Sequence, residues 1–297
     1  MEIKKLSLND YIKLRRLVYR WATPLLFTLW RNAFENGDPE EVISVLTCYQ
    51  NEDGGFGHAL EANCWNLNSS PYVTSFAISV IEGLFGLSYT FSNWNHPVLR
   101  GILKYLASGA CATEKGWVGM SDIPSNNDYS HAPWFHYDPT AAPGETDPKY
   151  IVDFVLKYGD KDSALHQKVL NIEKTLPKSK PLPDLSNYNP SEFICWEPLP
   201  TDIVDSPESP LYPEYKNLVE AEMDGIVDRL HAIKELPVPG VGDFSDLGDR
   251  VDDVADWLDN WQIISCYPAT CGFFIMQIEL LKKFNRLEFS IPVIMGE

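Results

Sequence analysis

The stretch Tyr49–Glu61, "YQNEDGGFGHALE", crowds acids, amides and glycines directly behind a helical run. It reads either as a catalytic loop or as a turn between helices. Gly54 and Gly55 permit positive φ, so the chain can reverse there. Asp53 can cap backbone amides in such a turn. The Gln50 amide can bond neighbouring loop backbone and lay its flat face against Phe56. On these grounds Gln50, Asp53 and Phe56 read as a stiff joint rather than as reacting groups.

Outward from that joint, helix signals dominate. A capping residue stands directly before a proline at Thr23-Pro24, Asp38-Pro39, Ser70-Pro71, Asp147-Pro148 and Asn189-Pro190. The cap side chain accepts from an orphan amide, and a proline at the first helical position gives up only an amide that had no partner. Apolar residues at helical spacing follow each pair. The run from Thr23 stops at Gly37, and the next begins with Glu40 and Glu41 in its first turn, where the helix dipole favours acids. Further helices are expected in "HPVLRGILKYLASG", "SALHQKVLNIEKTL", "YKNLVEAEMDGIVDRLHAIKEL" and "PATCGFFIMQIELLKKFNRL". No alternating pattern competes as a strand, so the chain is expected to be all-α and to form one domain over residues 1–297. Residues 118–146, 177–190 and 200–211 lack periodicity and read as long loops, which in compact helical domains often carry function.

Glycine-aromatic turns recur at "DGGFG" (53–57), at "KGWVG" (115–119) and, weakly, at "GVGDF" (240–244). The first two lie roughly 60 residues apart, a period that suits a helix hairpin plus its connection. "FICWEP" around Trp196 lies in the gap before the third.

The bulk numbers narrow the function. Apolar residues make up 44 % and aromatics 12 %, enough for a core and for lining a cavity. A net charge of −18 argues against nucleic acid, whose phosphates need concentrated Lys and Arg. No run reaches the roughly 18 apolar residues of a membrane span. The first ten residues lack a long apolar segment and read as no signal peptide. Six dispersed cysteines fit reduced thiols in a cytoplasm.

The pattern "VLTCYQNEDGGFGHALE", followed by "SSP", "HAPWF" and "LLKKFNRLE", resembles the Gln…Asp-Gly-Gly-aromatic-Gly repeat of the terpenoid cyclase and protein prenyltransferase superfamily. It looks like a small bacterial branch of that superfamily, of mostly unassigned function. The resemblance is concentrated in residues 44–80. It implies an α/α toroid of about five to six helix hairpins around a central cavity. It also implies a hydrophobic, isoprenoid-like substrate.

The chain departs from the superfamily's motifs. Class II cyclases protonate an alkene with an Asp-x-Asp-Asp acid held in an apolar cavity. "DRVDDVAD" (249–256) has the wrong spacing for it. No Asp-x-Cys pair supports the zinc site of prenyltransferases. Asp252, Asp253 and Asp256 match the Asp-Asp-x-x-Asp magnesium pattern of class I synthases, with Asp252 and Asp256 at i and i+4 on one helical face. Magnesium there is the one cofactor considered; otherwise none is expected. Where such branch members continue Leu-Glu-Pro-Asp, this chain reads Leu60-Glu61-Ala62-Asn63.

Two constellations carry acid–base chemistry. His58 and Glu61 would share a face if a helical turn follows the glycines. "NDYSHAPWFHYD" gathers Asp128, His131 and His136 with aromatic rings, and imidazole near carboxylate suits proton transfer near neutral pH. Trp65, Trp134, Tyr137 and Asp138 are the candidate substrate-binding side chains. A site is expected where this loop meets Glu61. The leading expectation is a terpenoid-cyclase-like enzyme. A non-catalytic binding scaffold and a carbohydrate-active enzyme with opposed carboxylates are the alternatives.

Overall fold

A computed structural model describes residues 3–87, 89–91, 95–176, 204–233 and 267–292. Among them every extended regular element is a helix, and the only β-type pairings are isolated bridges. The α-helices are α1 (Leu8–Trp21), α2 (Pro24–Phe34), α3 (Pro39–Thr47), α4 (Pro71–Ile81) and α5 (Pro97–Ala107). They continue with α6 (Lys149–Tyr158), α7 (Ala164–Glu173), α8 (Tyr212–Ala232) and α9 (Tyr267–Lys283). No helix among the described residues is long and apolar enough to cross a membrane.

The capping arguments hold in detail. Thr23 Oγ1 accepts from Leu26 N at 3.3 Å and Ser70 Oγ from Val73 N at 3.1 Å, each followed by proline in the first turn. His96 does the same work for α5, its Nδ1 accepting from Val98 N at 3.3 Å. Asp147 Oδ1 accepts from Lys149 N at 2.9 Å, so α6 begins one residue after the proline. α3 stops at Thr47, ahead of the apolar run's end, because Cys48, Tyr49 and Gln50 turn back onto the carbonyls three residues earlier. Asn189-Pro190, the Trp196 segment and "GVGDF" lie outside the described residues.

The described residues fall into two compact units. In the first, α9 packs against α1, α2 and α8. α9 is apolar along most of its length and buries Cys271, Phe274, Ile275, Ile278 and Leu281. Tyr11 stacks on Trp30 at 5.3 Å between ring centroids, and Phe34 meets both rings edge-on. Each such ring contributes about 1.5–3 kcal/mol by leaving water. The polar edge of this cluster closes on one carboxylate. Glu35 accepts from Trp30 Nε1 (2.9 Å), Arg15 Nε (2.6 Å), Tyr19 OH (2.5 Å) and Tyr11 OH (3.3 Å). Burial alone would raise the Glu35 pKa, but these donors outweigh it and hold the carboxyl below its usual range.

In the second unit α6 packs on α7 and α4, and α5 on α7. It contains both well-formed glycine-aromatic turns. Phe56 and Trp117 are each completely buried, and each closes a bridge to the residue that leaves the preceding helix region, Gln50 and Ala112 respectively. α3 and α4 thus flank one turn, and α5 and α6 the other.

Candidate functional site

The glycine turn is a structural joint. Asn51 N donates to Gly55 O at 2.8 Å and Gly54 N to Asn51 O at 2.9 Å. Asp53 Oδ1 accepts from Gly55 N at 2.9 Å and from Ser69 Oγ at 2.7 Å. Gln50 Nε2 donates to Gly54 O at 2.9 Å and also reaches Val98 O, in the first turn of α5, at 3.0 Å. Only Gly54 takes positive φ, at 96°. A Cβ there would come within 2.0 Å of the Gly101 carbonyl oxygen, so α5 and the turn meet backbone to backbone. Gly55 serves a different need, since a Cβ on it would press on Ser69 and Tyr105.

Beyond Gly57 the expected helical turn does not form. His58 and Ala59 both adopt left-handed backbone, at φ 57° and 59°. A right-handed turn is impossible there, so His58 and Glu61 do not share a face. His58 is exposed, with its Nε2 2.7 Å from Asn51 Oδ1, and it closes the joint. Glu61 turns the other way. Its Oε1 accepts from Asn63 N at 3.1 Å and Asn63 Nδ2 at 2.8 Å.

Segment 61–66 then meets the loop that follows α5. Trp65 N donates to Ser130 O at 2.9 Å and Ala132 N to Asn63 O at 2.8 Å, flanking a bridge between Cys64 and His131. The expected meeting of this loop with the Glu61 segment is therefore present. Buried Asn126 ties it together. Its Oδ1 accepts from Asn66 Nδ2 (2.9 Å) and Cys64 Sγ (3.4 Å), while its Nδ2 donates to Met120 O (2.8 Å) and Phe135 O (2.9 Å).

The ionisable groups at this seam are acids, and among the described residues no cation pairs with Glu61. Glu61 is half-buried as a residue, but desolvation of its carboxyl pushes its pKa up, with only the Asn63 amides opposing. Burial raises the Tyr72 phenol, and the nearby Glu61 and Cys64 add to the shift. Burial pushes the Cys64 thiol up to about 11. Phe135 meets the Tyr72 ring at 5.6 Å in a T-shaped contact.

The same loop positions the two histidines. Three short 3₁₀ turns, Met120–Asp122, Pro124–Asp128 and Pro133–Phe135, replace regular structure there. His131 Nδ1 lies 2.6 Å from Tyr129 O, and His131 Nε2 lies 3.2 Å from His136 Nδ1. The two rings are 18° from parallel. Asp128 is exposed at the end of its turn and joins neither ring by hydrogen bond among the described contacts. Trp65 is exposed, its indole nitrogen donating to Ala62 O at 3.1 Å, and Trp134 is half-buried between the histidines in sequence.

Tyr137 and Asp138 belong to a different place. Asn127 clamps the Tyr137 backbone with two bonds of 2.9 Å, one to its carbonyl and one from its amide. Both residues line an open pocket of about 610 Å³ together with Lys115, Asp122 and Glu145. Its rim is fixed by a bridge between Val118 and Glu145 and by Asp122 Oδ2, which accepts from Gly144 N at 2.6 Å.

Sequence reading missed Asn63, Cys64, Tyr72 and Asn126 as members of the site. Asn126 sits in "SNND", where its composition signals only a turn. The magnesium candidates Asp252, Asp253 and Asp256 lie outside the described residues. Among the described residues no group of three or more His, Cys, Asp or Glu side chains could hold a metal ion. Compared with protein-family models, with curated proteins and with solved structures, the chain finds no match in any of the three.

Proposed function

We propose that this chain is an acid–base enzyme of terpenoid-cyclase type, with Glu61 as the proton donor and an isoprenoid-like alkene as substrate. In this reading the helix hairpins take the toroidal arrangement that the sequence resemblance implies. The observation that carries it is the desolvated Glu61 carboxyl, which has no cationic partner among the described residues and whose pKa burial therefore raises. The reaction breaks the Glu61 O–H bond and forms a C–H bond at the alkene. The resulting carbocation would be stabilised by the faces of rings such as Tyr72, which feels the Glu61 charge, and Phe135, which meets Tyr72 edge-on. Water takes a proton from an adjacent carbon to leave the new alkene, and solvent returns a proton to the Glu61 carboxylate, which closes the cycle.

The test is incubation with linear isoprenoids (farnesol, geranylgeraniol, squalene) in D₂O. Cyclised or isomerised product carrying one added deuteron is expected, with Glu61→Gln lowering its rate about 10²–10⁴-fold. Product formed equally well by Glu61→Gln would end the reading.

A second reading is a binding scaffold without catalysis, and the polar pocket favours it. Acidic Asp122, Asp138 and Glu145 with the Tyr137 ring suit a hydrophilic ligand, a sugar included, rather than a hydrocarbon. Ligand-induced NMR shifts at Tyr137 that persist in Glu61→Gln would support this reading.

A further inference from the structure

We propose that His131 and His136 form a two-imidazole site for one borderline divalent transition-metal ion, of the Zn²⁺ or Ni²⁺ class. The tautomer comes first. A carbonyl only accepts, so the 2.6 Å contact to Tyr129 O puts the His131 proton on Nδ1 and leaves a lone pair on Nε2. That lone pair faces His136 Nδ1 at 3.2 Å. Two nitrogens bound to one ion at about 2.0–2.1 Å, at an angle near tetrahedral, lie about 3.1–3.4 Å apart. The pair therefore already holds the spacing of two ligands on one metal.

The scaffold itself fixes this spacing. The intervening Pro133–Phe135 turn is anchored by buried Ala132 and Phe135, and His136 N donates to Pro133 O at 3.1 Å. The Tyr129 carbonyl behind His131 is the kind of partner that fixes the tautomer and ring orientation of a ligating imidazole. With His131 Nε2 accepting, the bridging proton sits on His136 Nδ1. Binding moves that proton to His136 Nε2, so both imidazoles stay neutral and no further group is needed for balance. His136 is exposed and His131 half-buried, which leaves the remaining coordination positions to water or to a donor atom of a ligand. The chain's net charge of −18 raises the local concentration of cations. This site does not depend on Glu61.

The experiment is a Zn²⁺ titration of the full ¹⁵N-labelled chain, read in long-range imidazole spectra. It uses a Cys48→Ser, Cys111→Ser background because these two exposed thiols would compete for zinc. Saturable one-to-one binding is expected, moving His131 Nε2 and His136 Nδ1 together and leaving His58 and His96 in place. His131→Gln and His136→Gln should each weaken binding at least tenfold without changing the helical circular dichroism, and Glu61→Gln should bind like its parent. Unmoved His131 and His136 nitrogens at millimolar Zn²⁺, or variants that bind as tightly as the parent, would overturn the site and leave a proton-bridged pair only.

Discussion

The turns after α3 and after α5 begin alike and end differently. Each follows a helix, crosses a glycine and buries one aromatic ring completely, Phe56 in one and Trp117 in the other. Around Phe56 the turn's own polar groups are well bonded. Gln50 and Asp53 bond the turn, and Phe56 N donates to Thr74 Oγ1 at 3.1 Å. Around Trp117 the answer is incomplete. Ala112 stands where Gln50 would, the buried indole nitrogen has no hydrogen-bond partner among the described residues, and the Lys168 ammonium lies 4.9 Å from the ring. The first turn leads through a short loop into α4, whereas the second runs on through three 3₁₀ turns that carry the histidines and the pocket rim. The repeat thus supplies a joint, and the added length after the second joint carries the histidine pair and the pocket rim.

The sharpest way to break this comparison is to remove the rings. Phe56→Ala should cost about 3–5 kcal/mol in urea unfolding, the usual range for deleting a buried aromatic. Trp117→Phe should cost far less, because it shrinks the ring but also deletes a buried orphan donor worth about 1–3 kcal/mol. A Trp117→Phe loss as large as that of Phe56→Ala would show the two joints to be equally well satisfied.

Next come the glycines. Gly54→Ala pays for left-handed backbone and for a collision with Gly101, and should cost about 3 kcal/mol or more. Gly109 also has positive φ, at 75°, but a Cβ there meets nothing within 4 Å. Gly109→Ala should therefore lose only about 1–2 kcal/mol. Equal shifts in denaturation midpoint would remove the close approach from the explanation.

Gln50→Ala strips two carbonyls of their donor and should cost about 1–3 kcal/mol. It converts the first joint into the polar pattern of the second, so a change well under 1 kcal/mol would mean that Gln50 adds little to the joint.

The smallest effects are pH-dependent and contrast two carboxylates. The folded pKa of Glu35 is depressed, so its stabilisation is full above the unfolded value and is lost as pH falls through the folded one. The folded pKa of Glu61 is raised, so its protonated form stabilises fully below the unfolded value, and that contribution is lost as pH rises through the folded one. Melting curves from pH 3 to 8 should show Glu61→Gln gaining on wild type as pH rises and Glu35→Gln losing ground. The reverse order would contradict both assignments.

Local rules were enough for much of the fold and for little of the site. Thr23, Ser70 and Ser163 cap helices through bonds spanning three residues, which is why these starts were legible. The joint at Gly54 was legible because positive φ is a property of the residue itself. The His58 and Glu61 pairing failed because it assumed right-handed backbone at two non-glycine residues. Asn126 was invisible because its four partners, Cys64, Asn66, Met120 and Phe135, are scattered through the sequence.

The amino-acid sequence by itself determined the helical class, the helix starts and the place of the glycine joint, since each rests on torsions and hydrogen bonds within a few residues. Only the tertiary structure decided which groups meet. It brought Gln50 to the Val98 carbonyl, laid residues 61–66 against 130–132, and set the two imidazoles 3.2 Å apart. Those contacts arise from packing between distant segments and leave no periodic trace along the chain.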